Sequence, residues 1–157
     1  MIESFAFFAV ALPLALAAGF SDLRTMTIPN WISLALVGAF VVVGLVFLPL
    51  ETIGWRLLAG LLVLVLLFFA NAVGIMGGGD AKLLAASAPY VAYADAGPAL
   101  LILAVCMLVT LPLHRLARAS GFVRRLSPDW KSWTAGRHFP MGISISLALI
   151  IYLFTRI

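Results

Sequence analysis

Charged residues are scarce in this chain: of its 157 residues only 10% are Asp, Glu, Lys or Arg, whereas 64% are apolar. Soluble domains carry about 25% charged residues and about 45–50% apolar ones. A soluble fold of this length could bury a core, but it could not hide this much apolar surface from water. The composition therefore excludes an ordinary soluble domain and predicts a single domain embedded largely in lipid.

The residues that several common kinds of metal, redox, serine-protease and phosphate-binding site require are missing as well. The single cysteine, Cys106, lies inside an apolar run, so the chain can form neither an intrachain disulfide nor a C-x-x-C site for zinc or redox work. No H-E-x-x-H zinc motif and no Gly-x-Ser-Gly serine motif occurs. The glycine-rich stretch at 74–83 lacks the Gly-Lys-Ser/Thr of a phosphate-binding loop. We therefore expect an activity that needs no metal and no cofactor.

Six apolar segments follow one another along the chain. A membrane-crossing helix needs about 20 mostly apolar residues, and the predicted spans cover 2–20, 31–48, 55–73, 81–94, 98–113 and 139–154. The fourth span is short and contains Pro89. The first lacks the basic N-terminal region of a cleaved signal peptide, so we expect it to be retained. The predicted fold is all-α, one polytopic helix bundle over residues 1–157 with about six transmembrane helices.

The Lys and Arg residues divide unequally between the two faces that six crossings create. Eight of the ten follow spans one, three and five: Arg24, Lys82, Arg115, Arg118, Arg124, Arg125, Lys131 and Arg137. Only Arg56 and Arg156 lie on the other face. Because Lys and Arg favour the cytoplasmic side, this asymmetry predicts that both termini lie outside. It also predicts that the short fourth segment crosses the membrane.

A basic loop at about 114–138 holds most of this positive charge, with six Lys or Arg residues and a single acid. The topology alone accounts for that charge, and no nucleic-acid module is recognisable. We therefore expect the loop to lie on anionic membrane lipids, and we expect no nucleic-acid partner. Three aromatic side chains are predicted interfacial anchors: Phe122, Trp130 and Trp133. His114 and His138 flank the loop and are expected at the same interface.

Two of the four aspartates differ from the others in their position. Asp95 and Asp129 lie in short polar stretches, where we expect solvated turns. Asp22 and Asp80 stand at the inner ends of the first and third spans, so the topology places both at one depth on one face. A carboxylate inside a bilayer costs a few kcal/mol, and such residues tend to face protein or a water cavity and to serve function.

Two such carboxylates, if they meet, can act as an acid and a base. At about 4 Å and an effective dielectric constant of about 20, two like charges repel by roughly 4 kcal/mol. That energy corresponds to about three pKa units. One carboxylate would stay ionised while the pKa of the other would rise toward about 7, so that the pair shares one proton. The ionised partner can take a proton from water, and the protonated partner can polarise a peptide carbonyl.

Glycines precede the second of these acids. We expect Gly77, Gly78 and Gly79 to allow positive φ and to leave the backbone open to a substrate chain. Asp80 would then lie at or near the N-cap of the next helix, with Lys82 just inside that helix. An ordinary Gly-Asp turn that caps a helix is the alternative interpretation of the same residues.

Four residues close to the two acids in sequence have weaker assignments. Pro29 and Asn30 are expected to end the loop after the first span and to cap the second, which would also position Asp22. Arg24 and Lys82 are either charges that anchor the chain to lipid, or groups that tune the two carboxylates or attract an acidic residue of a substrate.

Three stretches resemble the type IV prepilin peptidases, which are intramembrane aspartyl proteases with a G-x-G-D signature. SDLRTMTIPNW at 21–31 is similar to their first aspartate motif, in which an Ile-Pro-Asn follows the Asp. GGGDAKLLAA at 77–86 is similar to their second motif, including the Lys two residues after the Asp. FPMGISISLAL at 139–149 is similar to their closing segment, where a Pro-x-Gly opens the last helix.

The resemblance implies a function and a set of roles. Asp22 and Asp80 would be the catalytic pair of a bacterial inner-membrane endopeptidase that removes the basic leader of prepilin or pseudopilin precursors at the cytoplasmic face. Long members of the family also N-methylate the new terminus and carry an insert with paired C-x-x-C motifs. This chain lacks that insert and resembles the short type associated with Flp/Tad pili, so we expect a peptidase without methyltransferase activity.

Two other classes of function are compatible with the same sequence. A small transporter or proton channel would need both aspartates but would cleave nothing. A non-catalytic membrane protein of a pilus assembly system would tolerate the loss of either carboxylate.

Overall fold

The computed structural model describes residues 1–136 and 138–157. Seven α-helices are described: α1 (Ile2–Thr25), α2 (Asn30–Phe47), α3 (Leu50–Ala72), α4 (Gly78–Ser87), α5 (Ala96–Ala119), α6 (Gly121–Leu126) and α7 (Met141–Phe154). Short 3₁₀ turns cover Ala88–Tyr90, Tyr93–Asp95 and Lys131–Trp133. No strand occurs in the described ranges, which confirms the all-α prediction. Arg137, counted above among the basic residues, lies outside the described residues.

Four segments are long and apolar enough to cross a membrane: Ile2–Thr25, Asn30–Phe47, Leu50–Ala72 and Tyr93–Ala119. The last apolar helix, α7, is shorter. Much of the outer surface is apolar, with exposed side chains such as Leu34, Val42, Leu61, Leu66, Leu101 and Leu108. Water does not stabilise a surface of this kind, so the chain is an integral membrane protein built as a polytopic helix bundle.

The fourth apolar segment, 81–94, connects the two ends of the bundle although only its first seven residues are α-helical. After α4 the chain continues through the 3₁₀ turn at Pro89 and an extended stretch, and these conformations rise further per residue than an α-helix. At its far end Asp95 accepts a hydrogen bond from Tyr152 Oη at 3.0 Å and pairs with Arg156. Asp95 is therefore held by α7 and the C-terminal residues, and the expectation of a simple solvated turn was wrong.

The core lies where α1, α2, α4 and α7 meet. Phe7 stacks on Phe40, and the ring of Tyr90 packs edge-on against both. The most extensive interface joins α1 to α7. The buried face of α1 carries small residues, Ala11, Ala15, Ala18 and Gly19, and a Cβ added to Gly19 would lie 3.4 Å from Ser146 of α7, so the two helices approach closely there. The interface brings the start of α7 beside the end of α1, which is the end of the bundle that carries Asp22.

The predicted basic loop has more structure than the charge pattern indicated. Helix α5 continues to Ala119, so His114 lies within a helix and is 7% exposed. Trp133, also 7% exposed, stacks on the His114 ring at 5.3 Å between ring centroids. The expectation that these two side chains lie at the lipid interface was wrong, because each buries the face of the other. Phe122 is exposed, as expected of an anchor.

Candidate active site

Asp22 lies in the last turns of α1 and is only 5% exposed. Its carboxylate atom Oδ2 accepts a hydrogen bond from the backbone N–H of Gly142 at 2.7 Å. Gly142 belongs to the first turn of α7, where backbone N–H groups have no partner within the helix. The end of one membrane helix thus fixes a buried carboxylate on another, 120 residues away in the sequence.

The chain reverses direction directly after Asp22. Helix α1 ends at Thr25, and its C-cap residue is Met26, whose φ of 55° places a non-glycine residue in the left-handed region. Such a conformation is uncommon for a residue with a side chain and persists where surrounding contacts hold it. Hydroxyl groups supply these contacts: Ser21 Oγ donates to the Thr27 carbonyl at 2.9 Å, and Thr25 Oγ1 donates to the Ser21 carbonyl at 2.8 Å. The residue that follows this turn, Ile28, is buried in the protein.

Ile28 is the side chain that connects the two aspartate segments. It is 7% exposed and lies between Gly142 and Gly79. A Cβ atom on Gly142 would lie 2.8 Å from Ile28 Cδ1, and one on Gly79 would lie 3.4 Å from Ile28 Cβ. The residue beside Asp80 and the residue bonded to Asp22 therefore touch the same isoleucine. This contact brings the beginning of α4 to the end of α1.

Asp80 is partly buried in the first turn of α4, which begins at Gly78 after an N-cap at Gly77. Asp80 is the third residue of this helix, which agrees with the predicted position at or near the N-cap. The expected positive φ is not found in the triplet: Gly77 has φ −69°, whereas the positive value of 78° belongs to Gly74, at the start of the loop. The lack of side chains in the triplet instead lets the backbone pack closely against a neighbouring segment, since Gly79 contacts Ile28.

The environment of Asp80 favours a protonated carboxyl group. Burial raises the pKa of Asp80 to about 7, and the negative charge of Asp22 adds to the effect. The direction agrees with the prediction from charge repulsion, but the order of causes differs, because removal from water is the larger one. The two carboxylates are near enough to influence each other, and the described residues contain no cluster of ligands for a metal ion.

A model of the type IV leader peptidase family matches residues 9–113, which is two thirds of the chain. The matched range contains both aspartates and the loops that carry them. The chain belongs to the type IV leader peptidase family. Membership makes it a membrane peptidase and implies prepilin-type substrates in general. No curated protein and no solved structure matches the chain significantly.

The other residues that the sequence singled out in this leader peptidase lie around the pair without contacting it through hydrogen bonds. Lys82 Nζ donates to Asn30 Oδ1 at 2.9 Å, which connects α4 to the first residue of α2. Pro29 occupies the N-cap position of α2, as expected. Arg24 is exposed at the end of α1, and no hydrogen bond from it is described. Lys82 and Asn30 therefore tie the two aspartate loops together at the surface.

Sequence reasoning missed two residues that hold this site. Gly142 was noted only as part of the Pro-x-Gly that opens the last helix, and that motif was the available signal for its contact with Asp22. Asn71 is the second: Nδ2 donates to the Met76 carbonyl at 2.7 Å and closes the loop before the glycines. An amide inside an otherwise apolar span was the available signal for Asn71.

Proposed function

We propose that this family member is an aspartic endopeptidase in which Asp22 and Asp80 are the catalytic pair. The observation that carries the proposal is the convergence of both aspartate segments on Ile28, with Gly142 bound to Asp22. A pair of acids at the edge of a membrane bundle would share one proton and hydrolyse a peptide bond without a metal.

The surroundings of the two acids favour different roles. The N–H of Gly142 stabilises the ionised form of Asp22, which would act as the base that removes a proton from the attacking water. Asp80, with its pKa raised to about 7, would be the acid that donates to the carbonyl oxygen of the scissile bond. The roles reverse when the tetrahedral intermediate collapses, since Asp22 then holds the proton that the leaving amine needs.

The substrate we propose is a type IV prepilin of the Flp class, cut at the cytoplasmic face of the bacterial inner membrane. The Lys and Arg asymmetry supports this sidedness because both aspartates share the bundle end with the basic segment. We further propose that the enzyme does not methylate its product. Only residues 26–29 connect α1 to α2, so the loop where long members carry a cysteine-rich insert is a tight turn.

Co-expression with a candidate Flp prepilin tests the proposal. Asp22→Asn and Asp80→Asn are compared with the parent and with Asp129→Asn, a matched substitution at an exposed position in the basic segment. We expect full-length precursor with either active-site variant and mature pilin with the parent and the control. Membrane fractionation confirms that each variant is inserted, and the mass of the mature N-terminus reports methylation.

Each alternative function predicts a different result. Complete processing by Asp22→Asn or Asp80→Asn would refute the catalytic pair and favour an assembly role. If the parent itself leaves every candidate prepilin intact while both variants abolish a proton flux across vesicles, the protein is a transporter. A methylated product would leave the peptidase proposal standing and overturn the proposed lack of methyltransferase activity.

A further inference from the structure

The first turn of α7, residues 141–144, carries Gly142 and with it the N–H group that binds the carboxylate of Asp22. The N-cap residue of this helix, Pro140, makes no side-chain capping hydrogen bond. Proline also has no backbone N–H that could bond to a neighbour. The position of Gly142 therefore depends on how the neighbouring helices hold this turn.

Helix α1 supports one side of the turn by close packing. A Cβ atom on Gly19 would lie 3.5 Å from Ile143 Cα and 3.4 Å from Ser146 Cβ, so α1 lies directly against the backbone of α7. Packing of this kind sets how near two helices lie, whereas a hydrogen bond also sets a direction.

Helix α5 supports another side through a hydrogen bond between two buried hydroxyl groups. Thr110 Oγ1 lies 2.6 Å from Ser144 Oγ, and the two residues are 6% and 0% exposed. Ser144 follows Gly142 by two residues, which turns it by about 200° around the helix axis. Among the described residues, no other side-chain hydrogen bond joins α5 to α7.

The donor and the acceptor of this bond follow from the number of protons. Thr110 Oγ1 also lies 2.6 Å from the carbonyl oxygen of Cys106, one turn earlier in α5, and a carbonyl can only accept. Each hydroxyl has a single proton, so Thr110 donates to Cys106 and accepts from Ser144. Ser144 Oγ has no second partner in the described part of the chain, and a buried donor that loses its acceptor is destabilising.

We propose that Thr110 is a positioning residue of the peptidase: it fixes Ser144, and through the first turn of α7 it holds the Gly142 N–H against Asp22. The inference rests on the proposed catalytic role of Asp22. Without the bond to α5, the turn can shift relative to α1, and the shift moves the N–H away from its acceptor. A misplacement of about 1 Å can cost about 10²-fold in rate.

Kinetics of prepilin cleavage in detergent test the inference, with kcat and KM expressed per mole of folded, monodisperse protein. Thr110→Val replaces the hydroxyl by a methyl group of similar size, and Thr110→Ser keeps a hydroxyl. Ser144→Ala removes the donor at the other end of the bond. Ser87→Ala is the matched control, because the Ser87 hydroxyl is similarly buried and its described hydrogen bond stays within its own helix, to the Leu83 carbonyl at 2.8 Å.

We expect kcat to fall roughly tenfold in Thr110→Val and in Ser144→Ala, with KM within about twofold of the parent. Thr110→Ser and Ser87→Ala should cleave at the parent rate. In a Gly142→Ala background, where the bond to Asp22 is already disturbed, Thr110→Val should lower kcat by less than a further factor of about two.

Parent-like kcat in Thr110→Val would overturn the inference. So would a full further loss of roughly tenfold in the Gly142→Ala background, because Thr110 would then act by general destabilisation and not through Gly142. If Thr110→Val does not fold, Ser144→Ala gives the same comparisons. Parent-like cleavage by Asp22→Asn in the same assay would instead refute the catalytic pair itself, and the role of Thr110 would fail with it, so the two failures are distinguishable.

Discussion

Replacing Gly142 with alanine perturbs the proposed catalytic geometry without removing a carboxylate. The added Cβ would lie 2.8 Å from Asp22 Oδ2, 3.0 Å from Asp22 Cβ and 2.8 Å from Ile28 Cδ1. Non-bonded heavy atoms prefer separations of about 3.5–4.0 Å, so Asp22 and Ile28 must each move by roughly half an ångström or more. The hydrogen bond from Gly142 to Asp22, at 2.7 Å, is stretched or broken by the same shift.

The size of the effect on activity follows from the sensitivity of catalysis to position. A misplacement of about 1 Å can cost about 10²-fold in rate, so we expect kcat/KM of Gly142→Ala to fall by roughly 10- to 100-fold. Overpacking of this kind destabilises proteins by about 1–3 kcal/mol, which a folded membrane protein tolerates. The change in activity should therefore exceed any change in the amount of folded protein.

The assay is cleavage of a purified Flp-type prepilin in detergent micelles, followed by gel mobility over time. Gly54→Ala is the control, because its added Cβ would meet nothing within 4 Å. We expect the control to cleave at the parent rate. Parent-like cleavage by Gly142→Ala would refute the reasoning, since neither the contact with Ile28 nor the bond to Asp22 would then matter for activity. Loss of activity in both variants would point to a general effect of substitution.

Four further predictions follow from the same site. Since the pKa of Asp80 is about 7, a pH profile of kcat/KM should fall above that value as the proposed acid loses its proton. The pKa of Asp80 is also higher in the folded protein than in the unfolded chain, so between about pH 4 and about pH 7 the folded protein holds a proton that the unfolded chain releases. Thermal stability in detergent should therefore decrease as the pH rises through this range, and Asp80→Asn should flatten that decrease. Asn71→Ala removes the bond to Met76, and we expect a several-fold lower cleavage rate with faster proteolysis of the glycine loop, whereas unchanged proteolysis would argue against a closing role. Lys82→Met removes an exposed contact to Asn30, so we expect less than about 1 kcal/mol of destabilisation in thermal unfolding and an unshifted pH profile; a shifted profile would show that Lys82 tunes the acids.

The spans were largely predictable because hydropathy is a local property. Predicted boundaries for the first three spans agree with α1, α2 and α3 to within a few residues at most ends. Asp22 lies in the last turns of α1, and Asp80 lies beyond the end of α3, in the first turn of α4. The second motif was predicted less well. The positive φ belongs to Gly74 and not to the triplet, and Gly79 instead packs against Ile28, a residue about 50 positions earlier in the chain that no local pattern points to.

The burial of His114 is a second feature that the local sequence did not predict. His114 follows an apolar run and begins a basic stretch, a pattern typical of the lipid interface. Its ring is instead covered by Trp133 and Phe139, which lie 19 and 25 positions later in the chain. No periodicity within α5 carries information about residues beyond the next loop.

The amino-acid sequence by itself determined that the chain is a lipid-embedded helix bundle and that two carboxylates end their spans on one side of it. Hydropathy, Lys and Arg placement and motif spacing suffice for that, since each acts along the chain. Only the tertiary structure decided that Ile28 lies between the two aspartate segments, that Gly142 of the last helix binds Asp22, and that burial more than repulsion favours a protonated Asp80. These facts depend on contacts between helices distant in sequence, and such contacts arise only when the whole bundle has packed.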